Sequence, residues 1–338
     1  MTNGEKAEMN TRILLTFFTV LTIMACIAAP TATPSPTPAK PTQAQKTYQD
    51  LVVGYAQIPG ESEWRTANIA SIRETAEQLG IVLFFSDSGM NTEQNQHDAI
   101  QAFIAKGVDV IGITPVVETG WNTSFQEAKE AGIPIILVDR WADVPDDLYA
   151  THFGFDFAEQ GRKAGRVLAE LMDGRAKIVE LVGTPGSSAA NDRGVGFRQV
   201  LQGYPEMNII ASQNGDWIRA GGKEMMAGFL QQYGSEIDAL YAHNDDMALG
   251  AIEAIEEYGL QPGVDIKIVS IDAVRGAFEA MIEGKLNATV ECNPLFGPQF
   301  FELALKVANG EDVPKFVSVE EGIFFPEDAE ELLPMRRY

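Results

Sequence analysis

From Leu51 onward the chain alternates short apolar runs with helix-period segments, and each early helix stops at a glycine just before the next apolar run. The runs over 51–56, 81–85, 108–113 and 133–138 read as strands. The segments 64–79, 92–106 and 119–131 read as helices, closed by Gly80, Gly107 and Gly132. Glycine in that place accepts the left-handed conformation that ends a helix. The strands are continuously apolar rather than alternating, which indicates a parallel sheet buried on both faces. The pattern then restarts. Helices are expected over 158–172, 189–201, 220–233, 245–258, 274–283 and 297–307, and strands over 177–182, 208–212, 239–242, 266–271 and 288–291. The fold class is therefore α/β, with two doubly wound parallel-sheet lobes. The halves show no sequence repeat. About 290 residues follow the N-terminal region, more than one typical core accommodates.

That N-terminal region reads as a leader and a linker. Lys6 and Arg12 precede an apolar run over 13–25, and Cys26 follows at once. A charged start, a short apolar stretch and small residues make a secretory signal. The run Ile23-Met24-Ala25-Cys26 resembles a bacterial lipobox, in which Cys26 becomes the lipid-modified first residue; a plain signal peptide is the alternative. The apolar run is shorter than the roughly 20 residues a spanning helix needs. Residues 27–47 are rich in Thr and Pro, with Pro30, Pro34, Pro36, Pro38 and Pro41. Such chain is extended at about 3 Å per residue, enough to hold a domain tens of ångströms from a membrane anchor. The location expected is extracytoplasmic.

The net charge of −23 argues against nucleic acid, because phosphate binding needs clustered Lys and Arg. It also disfavours anionic lipid. With Cys26 in the leader, Cys292 is the sole remaining thiol, so no internal disulfide is expected. His97, His152 and His243 show no metal-ligand spacing. Neither metal nor cofactor is expected.

Ligands of open α/β sheets sit beyond the carboxyl ends of the strands. The residues there are 57–65, Asp87, 114–115, Asp139, Arg140, 183–193, 214–217, 243–246, Asp272 and 291–293. They are rich in Asp, Asn, Arg and Trp, and lack the sets that run nucleophilic catalysis. Carboxylates, amides and guanidinium groups pair with hydroxyls two at a time, and a sugar's C–H face packs on an aromatic ring. Trp64 and Trp217 supply ring faces in this reading, Arg65, Arg140 and Arg193 supply forks, and Asp139, Asn244, Asp272 and Glu291 supply acceptors. These Arg and carboxylates can neutralise one another, which suits an uncharged ligand. Bland readings stand beside these. A Trp that opens a helix also suits a core, and neighbouring Asp and Arg often form a solvated pair. His243 suits a supporting role, and Asp245 reads as a helix cap. The glycine-rich turn 183–186 lacks the Lys-Ser/Thr of a phosphate loop.

Taken together, Glu61-Ser62-Glu63-Trp64-Arg65, Val138-Asp139-Arg140, Asn191-Asp192-Arg193, Gly215-Asp216-Trp217, His243-Asn244-Asp245-Asp246 and Ser270-Ile271-Asp272 resemble the bacterial periplasmic sugar-binding proteins of the ribose/galactose type, nearest their galactofuranose branch. The resemblance implies an ABC importer's substrate-binding component with two lobes, 48–154 plus 292–318 and 155–291 plus 319–338. It implies three crossings, near 154–156, 291–293 and 316–319, with the helix from Gly297 in the first lobe. Sugar contacts are then expected from Glu61, Trp64, Arg65, Asp139 and Arg140, from Arg193, Trp217, Asn244 and Asp272, and from Glu291 at the hinge. Glu63, Pro59-Gly60 and Cys292 depart from that branch near the site. The expected partners are a monosaccharide, an ABC permease and a membrane reached through lipid, with the protein itself a monomer. Three other readings share the fold or the residues. A lactose-repressor-like protein would need a helix-turn-helix headpiece. A sugar-sensing subunit would serve a membrane receptor or kinase. A glycosidase would use Asp245 with Asp272.

Overall fold

The computed structural model describes residues 45–87 and 93–338. The leader, Cys26 and the linker up to Ala44 lie outside the described residues, as does the expected helix start at Thr92. Gln45–Tyr338 is one compact unit.

In chain order the first half gives β1 (Val52–Ala56), α1 (Glu63–Leu79), β2 (Val82–Ser86), α2 (Glu93–Lys106), β3 (Val110–Ile113), α3 (Asn122–Glu130), β4 (Ile135–Asp139) and β5 (Thr151–Gly154). The second half gives α4 (Phe157–Leu171), β6 (Arg175–Val182), α5 (Ser188–Leu201), β7 (Glu206–Asn214), α6 (Arg219–Tyr233), β8 (Ala239–Ala242), α7 (Asp245–Tyr258), β9 (Lys267–Asp272), α8 (Arg275–Ile282) and β10 (Ala288–Glu291). Then come α9 (Gly297–Ala308), β11 (Phe316–Ser318), β12 (Ile323–Phe324) and α10 (Pro326–Leu332). Two six-stranded sheets result, ordered β11-β5-β4-β3-β1-β2 and β12-β10-β9-β8-β6-β7. All pairings are parallel except β10 with β12. Each sheet with its helices is called a lobe below.

Local chemistry explains the helix ends. Ser62 caps α1 by accepting the Arg65 N–H at 3.0 Å. Gly80 closes it at φ 71°, with its own N–H directed at Ala76 O and Glu77 O. Helices α4 and α5 approach closely because Gly161 and Gly196 lack side chains; a Cβ on Gly161 would lie 2.1 Å from Arg193 O.

The chain changes sheets three times, between β5 and α4, between β10 and α9, and between β11 and β12. Helix α9 lies against α1, where Gly297 N donates to Ser71 Oγ at 3.0 Å and Asn68 Nδ2 donates to Pro294 O at 2.9 Å. Aromatic rings pack at the first two crossings. Phe155 lies 6.2 Å from Trp64 and 6.0 Å from Phe296, between ring centroids.

Several expected boundaries move. At the third crossing, expected near 316–319, residues 316–318 pair with β5 as strand β11 and the change of sheet falls after Ser318. Helix α3 starts later than position 119 because Trp121 is wholly buried, with its indole N–H on Val117 O at 2.7 Å. Strands β5 and β12 and helix α10 carry too little local pattern to be foreseen.

Candidate functional site

The carboxyl ends of both sheets face each other across one cavity. It holds about 310 Å³ of non-atom space, the mouth included. From the first lobe it is lined by Glu61, Ser62, Trp64 and Arg65 after β1 and by Asp139 and Arg140 at the end of β4. The second lobe supplies Ala189 and Arg193 from α5, Trp217 after β7, Asn244 before α7 and Asp272 at the end of β9. Phe157 and Cys292 lie where the chain crosses between lobes.

Three guanidinium groups face three carboxylates here, and their pairing is built from both lobes separately. Arg65 Nη2 donates to Asp139 Oδ2 at 2.7 Å, and Arg65 Nη1 reaches Gln57 Oε1 at 3.3 Å. Burial opposes the Arg65 charge, but Asp139 and Glu61 more than restore it. In the second lobe Arg193 is held from three directions. Its Nε donates to Gln160 Oε1 at 2.8 Å, Nη1 to His243 O at 2.5 Å and Nη2 to Asp272 Oδ1 at 3.4 Å. Burial raises the Asp272 carboxyl well above the usual range, with Arg193 pulling the other way. Among the described residues Arg140 has no carboxylate partner. Its Nη1 donates to Val116 O at 3.3 Å, and burial together with nearby Arg65 lowers its pKa to about 10.

Backbone strain gathers at the same strand ends. Asp139 (φ 62°), Asp216 (φ 55°), Trp217 (φ 68°), Asp272 (φ 132°) and Ala273 (φ 61°) all occupy the left-handed side of conformational space. Non-glycine residues held there cost about 1–3 kcal/mol each and cluster at ligand clamps. The Trp217 ring lies over Gly183, where an added Cβ would fall 2.0 Å from the ring. Arg140 and Arg193 flank that ring, each 5.5 Å from its centroid. Asn244 Nδ2 holds Trp217 O at 3.0 Å while Asn244 Oδ1 caps α7 through Met247 N.

Among the described residues four buried side-chain polar atoms have no partner, and three of them belong to the cavity: Glu61 Oε2, Arg140 Nε and Trp217 Nε1. Buried polar atoms are nearly always satisfied. An acceptor and two donors therefore stand ready for a polar guest.

The two lobes touch along both rims of the cavity. At one rim Glu118 N donates to Gly186 O at 2.9 Å and Asn191 Nδ2 to Glu118 Oε1 at 2.9 Å. Beside them Trp141 N donates to Ser188 Oγ at 3.1 Å and Trp141 Nε1 to Asp192 Oδ2 at 3.2 Å. At the other rim Glu63 N donates to Asp246 Oδ2 at 2.8 Å.

Nine of the ten residues expected to touch ligand line this cavity, and Glu291 does not. Its carboxylate accepts from Arg336 Nη1 at 2.9 Å and Gly322 N at 3.2 Å, on the far side of the crossing. Successive side chains of extended chain point opposite ways, so the next residue, Cys292, faces the cavity instead. Burial pushes the Cys292 thiol well above its ordinary pKa. Asp245 is also corrected. Asn244 is the α7 cap, and Asp245 accepts from Thr289 Oγ1 and Val274 N at 2.9 Å and from Ser270 Oγ. His243 sits wholly buried behind Arg193, 3.2 Å from Glu180 Oε1. Ser62 and Ala189 lie within the post-strand segments 57–65 and 183–193 but were not singled out as contacts, and Phe157, beyond β5, carries no such signal. Among the described residues no cluster of His, Cys, Asp and Glu is arranged to hold a metal ion.

Two α/β lobes closing on a polar cavity define the class. Residues 53–312 match the periplasmic binding protein domain, and the chain belongs to that family. It is similar to the galactofuranose-binding protein YtfQ of Escherichia coli K12, at 41% identity covering 85% of this chain and 92% of that one. Two solved structures are similar as well, each with a TM-score of 0.82. One is the periplasmic binding protein of the arabinose ABC transporter from Shewanella sp. ANA-3, bound to α- and β-L-arabinofuranose, at 44% identity covering 85% of this chain and 95% of that one. The other is a Mycobacterium smegmatis protein in complex with β-D-fucofuranose, at 47% identity covering 84% of this chain and 94% of that one.

Proposed function

We propose that this protein binds an uncharged monosaccharide outside the cytoplasm and delivers it to an ABC import permease. The observation that carries the reading is the cavity itself. It sets three guanidinium groups among three carboxyl groups, and its unpartnered polar atoms, one acceptor and two donors, suit the hydroxyl groups of a sugar. The furanose ligands of similar proteins favour a sugar in its five-membered-ring form. Glu61, Trp64, Arg65, Asp139, Arg140, Arg193, Trp217, Asn244 and Asp272 are the proposed contacts, with Cys292 in place of Glu291. Trp64 has a structural share, since its indole N–H holds Cys292 O and its ring lies under Arg65 at 4.6 Å.

The mechanism is a clamshell. Lobes 48–154 plus 292–318 and 155–291 plus 319–338 swing about the three crossings. Sugar docks on one lobe, and the other closes over it. Ligand favours the closed form because only that form contacts it from both sides. The protein acts by binding and not by turnover: Asp139 and Asp272 are tied to Arg65 and Arg193 and hold those forks in place. Export by the leader and lipidation at Cys26 would keep a monomeric receptor near the membrane, where a permease reads the closed pair of lobes.

Titration calorimetry of residues 45–338, refolded to strip co-purified sugar, tests this against arabinose, galactose, fucose, ribose and glucose. One sugar is expected to bind tightly and unchanged. Arg193→Ala is expected to lose about 2–4 kcal/mol of that affinity, as for other buried anchors. Full affinity in Arg193→Ala, or consumption of the sugar, would sink the reading.

A further inference from the structure

Glu63 and Arg219 meet across the cavity mouth from different lobes. Glu63 opens α1 and Arg219 opens α6. Arg219 Nη2 donates to Glu63 Oε1 at 2.8 Å and lies 3.6 Å from Asp246 Oδ1. Neither residue lines the cavity. Their side chains are 45% and 43% exposed, so the pair stands in water at the rim. The facing position on α8 is Gly276, where even an added Cβ would stay 3.5 Å from Glu63 Oε2. Among the described residues this is the one ion pair that joins the two lobes. The opposite rim is closed by backbone N–H groups, an amide, a hydroxyl and an indole, none of which carries positive charge.

A contact whose halves sit on separate lobes exists only while the lobes are together, so it adds free energy to the closed form alone. We infer that Glu63 and Arg219 form a latch that sets sugar affinity by holding the closed state without touching the sugar. The inference rests on the clamshell reading above. The latch carries opposite full charges at an exposed site, so salt screens its attraction, whereas the opposite rim sets two carboxylates, Glu118 and Asp192, on facing lobes, where salt screens only repulsion. Its effect falls on escape rather than on entry, because the pair forms after docking.

The test is a double-mutant cycle of Glu63→Gln and Arg219→Gln, with arabinose and galactose as probes. Each single variant is expected to bind about two- to five-fold more weakly, through faster dissociation, the range of an exposed ion pair. The double variant is expected to be no weaker than either single one. Salt raised from about 0.05 to 0.5 M is expected to erode wild-type affinity by the same factor and not to weaken Glu63→Gln. Additive losses, or equal salt responses in both proteins, would overturn the latch while leaving the sugar site standing. If neither sugar binds, the sugar reading fails by itself. Spin labels on Gln126→Cys and Glu224→Cys, one exposed site per lobe, then decide the latch without sugar. A short-distance population that salt diminishes in the parent, and not with Glu63→Gln, supports it. Identical distributions would refute it.

Discussion

At the scale of single residues, Gly183 shows how a site depends on a side chain that is missing. The sequence marks a glycine-rich turn that lacks the features of a phosphate loop, and the structure gives that turn another task. The Trp217 ring occupies the space above Gly183, where a Cβ would meet ring atoms at 2.0–2.3 Å. Gly183→Ala must push the ring off its bed, and Trp217 is already held at φ 68° with its carbonyl fixed by Asn244. Sugar affinity is therefore expected to fall more than about tenfold, an anchor-sized loss, while the thermal midpoint of the sugar-free protein shifts little. Calorimetry beside a melting curve checks both; unchanged affinity would mean that Trp217 does not meet the sugar. The residues that line the cavity were legible because ligand-side positions follow directly from strand ends, as with Asp139 and Asp272. Glu291 was misread because polarity was followed where alternation decides, and Cys292 is the side chain turned inward.

At the scale of elements, legibility follows the range of the interactions. Helix α1 was readable over 64–79, with its stop at Gly80, because periodicity and stop are local; the Ser62 cap is local too but was not singled out. Strands β5 and β12 hold only four and two residues and owe their existence to partners far along the chain, such as Val290 for Ile323. The junction of α7 with β9 and β10 was equally hidden. Asp245 there lies wholly buried beneath groups from both strands, and burial lifts its carboxyl from 3.8 to about 7. Asp246 next to it is lifted to about 6, again chiefly by burial. A carboxyl raised on folding binds its proton more tightly in the native state. Its stabilising contribution is complete below the unfolded value and is lost as pH rises through the folded one. Stability of the sugar-free protein is thus expected to decline between about pH 4 and pH 7, by at most roughly 1.4 kcal/mol per pH unit for each such group. Asp245→Asn carries no ionising group and reduces that slope, leaving the part due to Asp246, Asp272 and Glu321, whose carboxyls burial raises as well. Urea unfolding at pH 5 and pH 7.5 measures it; a parallel slope in the variant would place the titrating group elsewhere.

At the scale of the whole molecule, the lobes separate two tasks that a single rigid pocket would have to combine. The strand ends hold the polar groups in strained positions, and the rims carry the hydrogen bonds and the ion pair that join the lobes. Trp141 belongs to the rim alone, giving its indole N–H to Asp192 across the gap and lining no part of the cavity. If docking precedes closure, Trp141→Ala leaves the association rate constant as it is and raises the dissociation rate constant. One net hydrogen bond, about 0.5–1.5 kcal/mol, corresponds to roughly two- to tenfold. Stopped-flow fluorescence from the remaining tryptophans, with small-angle scattering to follow the compaction on sugar binding, separates the steps. A slower association with unchanged dissociation would reverse the order, with closed protein selecting its sugar from a pre-existing equilibrium. The closed fraction in the absence of sugar would then set affinity, since the apparent dissociation constant is the intrinsic one divided by the competent fraction. Under the expected order the rims work as a brake on escape, so substitutions there tune residence time while those at the strand ends choose the sugar.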